Sequence, residues 1–85
     1  MTELIMRAIV IEDDQDINQQ IVSRLKQEGF AVDSADNGVD GLYLMQEFPC
    51  DVAIVDLGLP EMSGMDVIKK IRADGSDLPI LILTA

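Results

Sequence analysis

The chain has 85 residues, 48% hydrophobic and 26% charged, enough for one small domain with a single core. Its 16 acidic residues against 6 basic ones give a net charge of -10, which repels nucleic-acid phosphates and anionic membrane and argues against direct DNA or RNA binding by this segment. Histidine is absent and Cys50 is the single cysteine, so histidine acid/base chemistry, histidine metal ligation and an internal disulfide are excluded.

Cys50 reads as a small buried hydrophobe in a reducing, cytoplasmic compartment. The opening MTELIMR has no basic region leading into an extended apolar core, and no apolar run approaches the roughly 18 residues of a spanning helix. A soluble, unexported protein is expected.

Met6 to Ile11 (MRAIVI) is a short apolar run rich in β-branched residues that breaks into Glu12-Asp13-Asp14, as a buried strand does at a polar rim. Ile17, Ile21, Val22 and Leu25 then recur at helical spacing, and Gly29 supplies the stop expected just past a helix end. Phe30 to Ser34 reads as a second strand. Asn37-Gly38 reads as a breaker before a second helical pattern through Val39, Leu42, Tyr43 and Met45, which Pro49 ends.

Asp51 to Asp56 (DVAIVD) is a third strand running into Leu57-Gly58-Leu59-Pro60, whose glycine and proline enforce a loop. Gly64 precedes a third helix from about Met65 to Arg72, with Val67, Ile68 and Ile71 on its apolar face. Asp74 to Asp77 forms the next loop, and LPILILT is a fourth strand. The order β-α-β-α-β-α-β, with near-continuous apolar strands, argues an α/β open parallel sheet covered by helices on both faces.

In such sheets ligands bind beyond the carboxyl ends of the strands, where strand order reverses. With the second strand outside the first and the third on its other side, Glu12, Asp13 and Asp56 converge at one rim. Three carboxylates so close repel, and a hard divalent ion such as Mg2+, which prefers oxygen ligands, relieves the repulsion. Asp56, at a strand end beside such an ion, then has the properties of a nucleophile that forms an acyl phosphate. The residue pattern alone leaves plainer readings open. Asp13, Asp14 or Asp16 could cap or charge the first turn of the first helix, and an aspartate after a strand is an ordinary turn residue.

IVIEDD (Ile9 to Asp14), AVDSADNGVDGL (Ala31 to Leu42), IVDLGLPEMSGMDVIKKIR (Ile54 to Arg72) and LPILILTA (Leu78 to Ala85) together resemble the receiver domain of two-component response regulators, of the OmpR/PhoP type. The resemblance covers essentially the whole chain, as a single unit 1–85. It implies a flavodoxin-like sheet of strand order 2-1-3-4, and an aspartate, Asp56, phosphorylated by a sensor histidine kinase. It further implies a Mg2+ site of Asp13 as direct ligand, Glu12 acting through metal-bound water and Gly58 through its backbone carbonyl. Thr84 matches the hydroxyl residue that contacts the phosphoryl group, and Ala85 the small residue beside it. Ser63 stands where an aspartate is common.

The resemblance also implies a further helix, strand and helix beyond Ala85, with a lysine that pairs with the phosphoryl group and an aromatic switch residue. No residue here matches that lysine by motif, since Lys69 and Lys70 fall on the third helix. The chain thus reads as the N-terminal part of a receiver from a DNA-binding transcription regulator. With its fourth strand an apolar edge, it is expected to recruit a second copy, as a homodimer that pairs or exchanges elements there. Two rival readings are a structural or oligomerising unit with a silent acidic metal site, and a haloacid-dehalogenase-like phosphatase. The latter would want a second aspartate where Gly58 stands.

Overall fold

Seven elements alternate along residues 4–84, the part of the chain that the computed structural model describes. They are β1 (Arg7–Ile11), α1 (Gln15–Gln27), β2 (Ala31–Ala35), α2 (Gly38–Glu47), β3 (Val52–Asp56), α3 (Gly64–Ala73) and β4 (Ile80–Leu83). The strands form one parallel sheet in the order β2-β1-β3-β4. That is the expected topology, reached through helical crossovers because parallel neighbours cannot be joined by tight turns.

The pleat sorts the strand residues onto two faces. Ile9, Ile11, Ala53 and Val55 form the main core with Leu42 and Met45 of α2 and Val67 and Ile71 of α3. Ala8, Val10 and Ile54 point to the opposite face and are buried there, on the side where α1 runs over β1 and β2. Because α1 covers that face alone, it has no fully buried residue of its own. Each fully buried Ile or Val contributes about 1.5–3 kcal/mol of transfer free energy.

Local chemistry sets the element ends. Asp14, Asn37 and Ser63 cap the three helices, accepting hydrogen bonds from the amides of Ile17, Asp40 and Asp66. The Ser63 hydroxyl accepts from the Asp66 amide at 3.1 Å, the capping role that an aspartate can also fill. Gly29 takes φ 94° just past α1, the left-handed stop that only glycine adopts freely.

Some boundaries move. β2 starts one residue later than expected, because Phe30 instead donates its N–H back to Leu25 at the end of α1. α2 begins at Gly38 itself and ends at Glu47, two residues before Pro49. β4 is shorter than LPILILT; Leu78 and Pro79 precede it, although the Pro79 carbonyl still accepts from Ala53 at 3.0 Å. Cys50 is half-buried against the core rather than fully enclosed, and burial with the nearby Asp51 and Asp33 carboxylates pushes its thiol pKa up. Leu81, paired with Ile54, and Ile82, paired with Val55, are 61% and 48% exposed on opposite faces of β4. Among the described residues, no helix is long and apolar enough to cross a membrane.

Candidate metal centre

The parallel register brings two strand ends level. Ile11 of β1 pairs with Val55 of β3, so the residues that follow, Glu12 and Asp56, leave the sheet side by side at its carboxyl rim. Asp13 comes next on the turn into α1. One carboxylate oxygen from each of Glu12, Asp13 and Asp56 lies within 4.8 Å of the other two.

The acidic triplet divides its labour. Asp14 turns to the helix, its Oδ1 accepting from the Ile17 amide at 3.1 Å, and Asp16 sits in the first helical turn. Glu12 and Asp13 are left for the rim. Asn18 secures the turn from α1, its side-chain amide donating to the carbonyls of Glu12 at 3.0 Å and Ala35 at 3.3 Å.

Glu12 is 5% exposed. Burial, then its contact with Asp56 and the neighbouring Asp13, raise its pKa from 4.5 to about 7. The ion pairs formed by described residues, Arg7–Asp33 and Arg24–Glu28, lie on other surfaces, so they bring no cation to the rim. An all-oxygen donor set with an unneutralised buried carboxylate fits a hard divalent cation, which supplies the missing positive charge.

Asp56 is half-buried, and its Oδ1 accepts from the Gly58 amide at 3.3 Å, which places Gly58 beside the cluster. Thr84 follows Leu83, the register partner of Asp56. The Leu57 amide, donating to the Leu83 carbonyl at 3.3 Å, ties those strand ends together. Thr84 is therefore at the same rim, and exposed. Ala85, expected beside it, lies outside the described residues. A groove of about 640 Å3 opens between α1 and α2 and meets the cluster only at Glu12.

The breaker reading of Asn37-Gly38 missed what both residues do. Asn37 is buried and caps α2, and Gly38 donates its N–H to the Pro60 carbonyl at 3.2 Å, reaching the loop that follows Asp56.

A family model described as the response regulator receiver domain matches residues 8–85. The two-component response regulator PhoP of Pseudomonas aeruginosa is 41% identical over 80 residues, covering 94% of this chain and 36% of PhoP. The transcriptional regulatory protein CusR of Escherichia coli is 35% identical over 80 residues, covering 94% and 35%. The chain thus spans about a third of the length of these curated relatives. Among solved structures, the response regulator TrrA of Thermotoga maritima superposes with a TM-score of 0.90 at 32% identity, over 95% of this chain and 70% of that one, in a complex with Mg2+ and BeF. It superposes with a TM-score of 0.87 in a complex with the histidine kinase ThkA.

Proposed function

The chain belongs to the response regulator receiver domain family, a family of signalling modules, and we propose that it accepts a phosphoryl group on Asp56 from a sensor histidine kinase. The observation that carries this reading is the convergence of Glu12, Asp13 and Asp56 within 4.8 Å at the end of β3. TrrA, similar over nearly the whole chain, was solved both with Mg2+ and BeF and with a histidine kinase, which supports Mg2+ as cofactor and a kinase as partner here.

Asp13, Asp56 and the Gly58 carbonyl are the ligands proposed for Mg2+, with Glu12 acting through metal-bound water. The ion supplies positive charge against the carboxylates and the oxygens of an incoming phosphoryl group. The chain's own residues do the rest. A carboxylate oxygen of Asp56 attacks phosphorus; the new O–P bond forms as the N–P bond of the donor breaks, and the electron pair stays on the donor nitrogen. The donor imidazole is assigned to the kinase, which is consistent with the absence of histidine from these 85 residues. The Gly58 N–H, by holding Oδ1, orients the carboxylate for attack. The Thr84 hydroxyl and the small Ala85 are assigned to contact the transferred phosphoryl group.

The domain catalyses only its own modification. Its parent is proposed to be a transcription regulator, in keeping with the description of CusR as a transcriptional regulatory protein, and by extension one that binds DNA in the cytoplasm. Self-association through β4 is proposed as well, supported by the exposed Leu81 and Ile82 on its two faces. Those same residues favour the second reading, an oligomerising unit whose acidic site is silent. Mg2+ titration together with acid-labile, hydroxylamine-sensitive phosphate incorporation separates the two: uptake that Asp56→Asn abolishes supports the phosphoacceptor, and binding without uptake supports the silent site.

A further inference from the structure

Two glycines hold the loop 57–63, which joins Asp56 to α3 and carries Gly58. Gly38, the first residue of α2, donates its N–H to the Pro60 carbonyl at 3.2 Å, and Gly64, the first residue of α3, donates to the Leu57 carbonyl at 3.2 Å. Neither is there for an unusual backbone conformation, since the glycines with positive φ are Gly29 and Gly75. They are there for close approach. A Cβ at Gly38 would collide with the Met62 carbonyl oxygen and lie 2.7 Å from its carbonyl carbon. A Cβ at Gly64 would collide with the Asp56 carbonyl oxygen and lie 2.8 Å from the Leu57 Cα.

What each glycine faces decides the consequence of filling it. At Gly41, one turn further along α2, a Cβ would crowd Cγ1, Cγ2 and Cδ1 of the fully buried Ile11, so the cost there falls on core packing and not on the loop. At Gly38 the obstacle is loop backbone, so the loop or the helix must move. The helix is the better anchored of the two. Asn37 caps it, accepting from the Asp40 amide at 2.8 Å while its own amide donates to the Asp36 and Asp40 carboxylates at 2.9 and 3.0 Å. Gly41, Leu42 and Met45 are buried behind it. The loop, with Pro60 and Glu61 exposed and Glu61 in the left-handed region at φ 68°, is the part that yields.

We propose that Gly38 is a positioning residue for the phosphoacceptor site. By admitting the loop into backbone contact with the first turn of α2, it fixes where Gly58 stands relative to Asp56, Glu12 and Asp13, which the strand ends already hold. Gly38 touches neither the carboxylates nor the phosphoryl group; it acts through Pro60 and Met62. The role rests on reading the cluster as a Mg2+-dependent phosphoacceptor site, and it makes the β2–α2 junction part of the machinery that sets metal affinity.

The test compares Gly38→Ala with Gly41→Ala by thermal unfolding, Mg2+ titration and the amide resonance of Gly58 in metal-free 1H–15N spectra. Gly38→Ala is expected to shift the Gly58 amide without metal and to weaken Mg2+ binding about ten-fold, the order seen when support beyond the direct ligands is lost. Phosphate uptake should recover at saturating Mg2+. Gly41→Ala should lower the thermal midpoint through the core, by way of Ile11, while leaving the Gly58 amide in place. Should Gly38→Ala not fold, Asn37→Ala loosens the same helix start without adding bulk and is expected to move the same resonance. An unmoved Gly58 amide in folded Gly38→Ala or in Asn37→Ala, or an equal shift of that amide in Gly41→Ala, overturns the proposal. A wild-type chain that ignores Mg2+ overturns the functional reading instead, and the metal-free resonance then decides the positioning role alone.

Discussion

Glu12 and Asp56 stand beside each other across the β1–β3 pair, one residue beyond the matched Ile11 and Val55, with Glu12 almost wholly buried and Asp56 half-open to solvent. One carboxylate is thereby shut away from water and the other left accessible from outside.

The raised pKa of Glu12 makes the metal-free fold sensitive to pH. Its folded value of about 7 lies above the 4.5 of the free side chain, so folding favours the protonated form. That stabilisation is complete below about pH 4.5 and is lost as pH rises through about 7. Denaturant unfolding of metal-free protein should show stability falling across this window, and Glu12→Gln should flatten the fall. Mg2+ should restore stability at the upper end, by mass action on the folded state.

Asp13 and Asp14 are adjacent, but Asp14 caps α1 whereas Asp13 lies in the acidic cluster proposed to hold Mg2+. Asp14→Ala removes the cap of α1 and should cost about 1 kcal/mol of stability while leaving Mg2+ affinity nearly intact. Asp13→Asn should do the reverse. Paired urea denaturation and Mg2+ titration read both effects, and a common loss in the two variants would contradict the division.

Ser63 is a cap and not a site residue. Ser63→Ala should cost about 1 kcal/mol, whereas Ser63→Asp should be close to neutral in stability because its carboxylate caps equally well. Thermal unfolding of the two variants is the check.

The β4 edge gives a prediction about assembly. Sedimentation across a concentration series should show self-association at micromolar protein, and the double substitution Leu81→Lys with Ile82→Lys should weaken it by placing charge on both faces of the edge. A compact monomer at those concentrations, sedimenting as its substituted form does, would contradict it.

The alternation of strands and helices was legible in the sequence because apolar runs of strand length alternate with helical periodicity. The strand order 2-1-3-4 came from the resemblance to receiver domains, and only with β1 and β3 as neighbours do Glu12, Asp13 and Asp56 fall together at the rim. Pattern alone could not divide the acidic triplet: Asp13 and Asp14 are the same residue type one position apart, and only the path into α1 sends one to the Ile17 amide and leaves the other at the rim. Gly38 was misread for a related reason. Its need for hydrogen in place of a side chain comes from Met62, a residue distant in sequence, and a local breaker signal carries no trace of it.

The proposal that Asp56 is the phosphoacceptor is tested most directly by incubation with acetyl phosphate and Mg2+ followed by intact mass and hydroxylamine treatment. One hydroxylamine-labile phosphoryl group is expected on the wild-type chain, dependent on Mg2+ and absent from Asp56→Asn. Equal labelling of the Asp56→Asn chain, or a wild-type chain that binds Mg2+ yet takes up no phosphate, would contradict it.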